Sequence, residues 1–137
     1  MIDFFSETDF KLKKREKISK WIQTIIDLEG CSLGEISYVF CDDTYLHAIN
    51  VAYLKHDTLT DIISFDYSVG KQLHGEIYIS IERVTDNAKD YGVSFEKELM
   101  RVLIHGVLHF IGYTDKTEED KELMRKKEDE SLAIFKK

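Results

Sequence analysis

His105-Gly-Val-Leu-His109-Phe-Ile-Gly112-Tyr-Thr-Asp115 closes a long apolar segment, and its reading decides both the fold and the chemistry of this chain. Leu99, Val102, Leu103, Ile104, Val107, Leu108 and Ile111 cover more than one face at helical spacing. The segment is therefore predicted as a helix that starts at a Ser94 cap and runs through the core. At 3.6 residues per turn, His105 and His109 share one side of it. Gly112 falls where the helix should stop, because glycine accepts the backbone conformation that ends one. The chain can then double back and bring Asp115 to the histidines. Two imidazoles and one carboxylate around one ion, with a fourth position open, describe a catalytic Zn2+ site better than a structural one.

The surrounding elements follow from periodicity. Upstream, Ile2–Phe5 reads as an edge strand. Residues 9–29 read as a helix on the strength of Ile18, Trp21, Ile22, Ile25 and Ile26, stopped by Gly30. Glu35–Cys41 reads as a strand, and Asp42 or Asp43 caps a helix through Tyr53. Strands over Asp61–Tyr67 and Gly75–Ile81 and a helix over Glu82–Tyr91 come next, before the histidine helix. Thr117, followed by Glu118, Glu119 and Asp120, opens a last helix, and Lys136 and Lys137 suit its end. The expectation is one α+β domain over residues 1–137. It has about four strands in a mixed sheet, helices covering both faces, about five helices in all, and the metal site at the end of the central helix. Strand order stays open.

Composition narrows the classes. A chain of 137 residues with 43% hydrophobic and 12% aromatic residues can build a real core. No apolar run approaches the length of a membrane span, and Met1–Asp9 lacks the features of a signal peptide, so a cytoplasmic protein is expected. Cys31 and Cys41 show neither metal nor redox spacing and read as buried thiols. A net charge of −7 argues against a general nucleic-acid binder. Lys11, Lys13, Lys14, Arg15, Lys17 and Lys20 nevertheless crowd one segment. They form either a solvated helix face or a local patch that meets phosphate.

The ligand set implies hydrolysis. Zinc polarises an oxygen and acidifies a bound water, and a carboxylate ligand makes a second proton acceptor more useful. The spacing is shared with zinc peptidases whose signature begins His-Glu-x-x-His. Here Gly106 stands where the peptidase base would be.

Taken together, these residues resemble the YbeY group of bacterial single-strand-specific metallo-endoribonucleases. The family motif His-Gly-x-Leu-His-Leu-x-Gly-Tyr-Asp-His appears as residues 105–115 with Asp115 in place of the last histidine. Asn50-x-x-Tyr53, Asp57, Thr60-Asp-Ile-Ile-Ser-Phe65, Gly75-Glu-Ile-Tyr-Ile-Ser80, Met124 and Glu128 extend the likeness over about residues 36–132. The resemblance implies one zinc ion on His105, His109 and Asp115. It also implies a cytoplasmic enzyme acting on single-stranded ribosomal RNA, in 3′-end maturation of the small-subunit RNA and in ribosome quality control. Leu54 replaces the family's arginine and Leu59 its proline. Lys55 and His56 are the adjacent candidates for the missing positive charge.

RNA, the ribosome or its proteins are the expected partners, a monomer the expected state, and no membrane is expected. A zinc-containing maturation factor without catalysis and a zinc peptidase are the alternatives. Further candidates carry two readings each. Asp61 and Ser64 are site or strand residues, with Thr60 a turn residue. Glu76 supports a ligating histidine or sits on the surface. Arg101 faces phosphate or an ion pair. His47 and His74 read as structural or surface residues.

Overall fold

A computed structural model of the chain describes residues 1–54 and 60–135. Alternating burial along two strands organises it. Ile36, Tyr38 and Phe40 on one strand, and Leu73, Ile77 and Ile79 on another, are buried and join one core cluster. The strands are β1 (Ile2–Ser6), β2 (Ser32–Cys41), β3 (Ile62–Asp66) and β4 (Gln72–Ser80). The helices are α1 (Arg15–Leu28), α2 (Asp43–Ile49), α3 (Ile81–Tyr91), α4 (Phe95–Ile111) and α5 (Glu118–Phe135). The sheet runs β1-β2-β4-β3, parallel except for β3, which pairs antiparallel with β4 at the edge. This is the α+β domain with a four-stranded mixed sheet and five helices that the sequence predicts.

The helices cover the two sheet faces unequally. α1 and α4 lie on one face, α5 packs on those two, and α3 sits beside α4. The second face carries a smaller cluster in which α2 covers its end through Leu46, against Cys41 and Ile63. Beyond that cover a run of ring contacts links Tyr45, Tyr78, Phe65 and Tyr53. The partial cover follows from helix supply. α2 is short, and its last turn widens into a π-turn at Asn50–Leu54 where a continued α-helix is predicted.

The first helix also differs from its predicted span. It begins at Arg15, not residue 9, because Lys14 takes a left-handed conformation (φ 59°) that an α-helix cannot contain. Tertiary contacts hold the preceding segment in that course. Leu12 is buried, and Phe10 packs edge-on against Phe40 and Phe95 at centroid distances of 5.1 and 5.8 Å. Cys41 is buried and Cys31 half-buried, and both are free thiols. Burial, with the Asp42 and Asp43 charges, pushes the Cys41 thiol up to about 12. Among the described residues no helix is long and apolar enough to cross a membrane.

α4 is the hub of the core. Its Leu103 carbonyl accepts the buried Tyr38 hydroxyl at 2.8 Å. Close approach to the sheet depends on glycines on both sides. A Cβ at Gly75 of β4 would meet Phe110 Cζ of α4 at 2.4 Å and the Phe65 carbonyl at 2.5 Å. Gly75→Ala therefore has to move backbone as well as a ring. It should cost about 1–3 kcal/mol of stability, seen as a lowered urea midpoint; an unchanged midpoint would contradict this packing.

Candidate metal centre

The end of α4 forms as its sequence dictates. Ser94 caps the helix by accepting from the Lys97 N–H at 3.1 Å. At the other end, Gly112 (φ 127°) lets the Gly112 and Tyr113 amides reach the Leu108 carbonyl at 3.1 and 3.0 Å. The backbone then turns toward α5. Thr117 and Asp120 cap that helix reciprocally, since the Asp120 N–H donates to Thr117 Oγ1 at 3.0 Å while Asp120 Oδ2 accepts from the Thr117 N–H at 3.4 Å. The same Oδ2 accepts the Thr114 hydroxyl at 2.9 Å, which fixes the residue beside Asp115.

This course brings His105, His109 and Asp115 together. His105 Nε2 and His109 Nε2 are 3.0 Å apart, and each lies 3.6 Å from Asp115 Oδ2. Tetrahedral zinc with ligand bonds near 2.0–2.1 Å needs ligand atoms about 3.3 Å from one another. The three separations bracket that value, so the donors fit a small divalent cation in both type and spacing. Asp115 is 48% exposed, which leaves the outer side open to water or substrate.

The other ring nitrogen of His105 is held from α5. Nδ1 lies 2.7 Å from Glu128 Oε2, and Glu128 Oε1 accepts from the Arg101 guanidinium at 2.8 Å. Arg101 also donates to Asp129 at 2.7 Å. Arg101 is thus committed to ion pairs and orients Glu128. A carboxylate behind a ligating histidine fixes the ring and its tautomer, which points Nε2 at the ion. Burial alone would lower the His105 pKa, but the Glu128 hydrogen bond and the nearby carboxylate charges raise it above the ordinary value. His109 moves the other way, lowered by burial and by His105 against the pull of Asp115.

A second brace holds the turn. The Tyr113 hydroxyl donates to Glu29 at the end of α1, and Lys127 Nζ lies 3.4 Å from the other Glu29 oxygen. α1 and α5 thereby grip the residue two before Asp115. Asp61, Arg101, His105, Asp115, Arg125 and Glu128 are among the residues that line a cleft of about 250 Å3. Burial raises the Asp61 carboxyl above the usual carboxylate range.

The remaining candidates fall elsewhere. Glu76 accepts the Tyr78 hydroxyl at 3.0 Å and does not support a histidine. Glu128 has that place, and only its match to the family pattern hinted at it. Thr60 Oγ1 donates to the Ile62 carbonyl, a local turn bond. Ser64 opposes Ile77 in the β3–β4 ladder and is not among the cleft-lining residues. His74 Nδ1 accepts from the Glu35 amide at 3.1 Å across the irregularity in β2, and His47 is half-buried on α2. Lys55 and His56 lie outside the described residues. Sequence reasoning missed the Glu29–Tyr113–Lys127 brace and Arg125, whose proximity to the site only tertiary structure creates.

If Glu128 orients His105, Glu128→Gln should weaken Zn2+ binding about 10–100-fold, measured by competition with a chromophoric chelator. Unchanged affinity would remove Glu128 from the centre.

Comparison with known proteins agrees with this architecture. The profile of the family described as Endoribonuclease YbeY matches residues 3–136. A protein named Endoribonuclease YbeY from Flavobacterium johnsoniae is 58% identical over 135 residues, covering 98% of this chain and 97% of its own. Its namesake from Christiangramia forsetii is 55% identical over 134 residues, covering 98% and 94%. The solution structure of the TM1509 protein from Thermotoga maritima superimposes with a TM-score of 0.68 at 26% identity, over 99% of this chain and 92% of that one. On these matches the chain belongs to the Endoribonuclease YbeY family, a family of hydrolytic nucleases.

Proposed function

We propose that this protein is a zinc-dependent endoribonuclease that hydrolyses phosphodiesters of single-stranded ribosomal RNA, with residues 1–137 as one hydrolase domain. The observation that carries the reading is the convergence of His105 Nε2, His109 Nε2 and Asp115 Oδ2 beside an open cleft. Family membership supplies the substrate class. Maturation of the 3′ end of small-subunit RNA and ribosome quality control, by a cytoplasmic monomer that meets ribosomal particles, are the settings this activity suits.

A zinc ion at the three donors would supply Lewis acidity and bring the pKa of a bound water toward neutrality. The chain's own groups do the rest. His105 and His109 hold the ion from a rigid helix, Asp115 closes the set from the turn, and Glu128 keeps the His105 ring aimed. Asp61 faces the same cleft with a raised pKa, which suits a group that takes or gives a proton. Arg125 offers a cation from α5. It lines the cleft beside Glu98, whose carboxyl burial raises and Arg125 pulls down, and its guanidinium makes no hydrogen bond or ion pair among the described residues, so it can turn to a phosphate.

Leu54 favours a second reading, a maturation factor that binds ribosomal RNA without cutting it. Purified protein should cleave single-stranded ribosomal RNA, lose that cleavage to a chelator and in His109→Ala, and regain it with Zn2+. Arg125→Ala should lower kcat/KM about tenfold or more, as expected for a lost charge-assisted contact. Cleavage that survives both chelator and His109→Ala would overturn the assignment; metal-dependent binding without cleavage would establish the second reading.

A further inference from the structure

We infer that the lysine-rich segment before α1 and the first turns of α4 form a separate RNA site, which takes an unstacked base and holds its flanking phosphates. The inference rests on the RNA reading above and concerns a different surface. A cavity of about 560 Å3 opens there, and most of its lining is apolar. Phe10, Phe95 and Phe135 contribute rings that are only partly buried, over a floor that includes Leu12, Leu99 and Met100. Its size falls within the range of small-ligand sites, so a single planar group fits better than a helix laid in a groove.

The mouth is basic. Lys11, Lys13, Lys14 and Lys97 line it, all exposed, and none of their ammonium groups makes an ion pair or hydrogen bond among the described residues. Glu96 is the only acidic lining residue. In a chain of net charge −7, unpaired cations gathered at one apolar opening call for an anionic partner with an apolar body. A nucleotide of a single strand supplies both, through base stacking on aromatic rings and phosphates on the rim. The site is distinct from the metal cleft. Phe95, Leu99 and Met100 point from one side of α4, while Glu98, Arg101 and His105 point from the other. About ten residues of helix rise, roughly 15 Å, separate Phe95 from His105. A longer RNA can therefore occupy both at once, whereas a short one held in the metal cleft does not reach the basic mouth.

The test uses the full chain with a fluorescent oligouridylate as probe, bound to the His109→Ala protein so that nothing is cut. Lys11→Ala/Lys13→Ala should weaken binding at least tenfold at 0.1 M salt and flatten the log–log salt slope by about 1.4, near 0.7 per phosphate contact released. Trp21, the only tryptophan, lies 5.0 Å from Phe135 by ring centroids, so binding should change its emission saturably. In the active protein the double variant should raise KM for long RNA with kcat unchanged, and leave a short oligonucleotide untouched. Affinity and slope unchanged in the variant would overturn the inference while leaving the endoribonuclease reading intact, since cleavage reports that separately. A Trp21 response to a Leu- and Asp-rich peptide but none to RNA would overturn it too, in favour of a protein partner.

Discussion

The buried carboxylate of Glu128 is the constraint on which the centre depends. It is 7% exposed and sits on α5, yet both its oxygens are engaged by α4, one by Arg101 and one by His105. An ionised carboxylate in such surroundings is tolerable only because its partners compensate for lost hydration, and removing one leaves a buried charge that costs several kcal/mol. The pair of helices is therefore locked in one register. That register sets the direction of a ring nitrogen. Packing and chemistry meet in the same three side chains.

Much of this was legible in the chain. Helix α4, its Ser94 cap, its Gly112 stop and the convergence of three donors follow from spacing, because they are local consequences of helical geometry. Strand existence followed from alternation in the same way. Contacts between distant residues were not legible. The start of α1 lies later than the expected residue 9 because the apolar spacing from Ile18 to Ile26 sets the body of the helix and not its first residue. The partners that hold Phe10, namely Phe40 and Phe95, lie far along the sequence. Glu76 was the carboxylate expected to support a histidine and Glu128 only a match to the family pattern, since nothing local tells which carboxylate a fold will bring to a ring. The uneven cover of the sheet was hidden for a related reason, as periodicity gives a helix's apolar face but not its sheet side.

Gly106 shows how a departure from a related motif gains a physical meaning. A Cβ there would lie 2.9 Å from Ile77 Cδ1 and 3.2 Å from Ile62 Cδ1, so this side of α4 is pressed against the sheet. A glutamate at this position, as peptidases of similar spacing carry, would have to enter the core. The fold thus excludes that base by sterics, and the proposed chemistry would draw on other groups of the cleft, where Asp61 and Arg125 stand.

The donors differ in how firmly they are carried. His105 and His109 sit on a helix welded into the core, whereas the half-exposed Asp115 hangs on a turn tethered through its neighbours. The hydrophobic centre draws on none of the three donors, unlike small zinc modules whose folding waits for the metal. On the proposed function, the backbone could assemble first and an ion would be captured afterwards through the outer side, where Asp115 is half-exposed. Exchange with cellular metal pools would then be governed by that one tethered aspartate, not by unfolding.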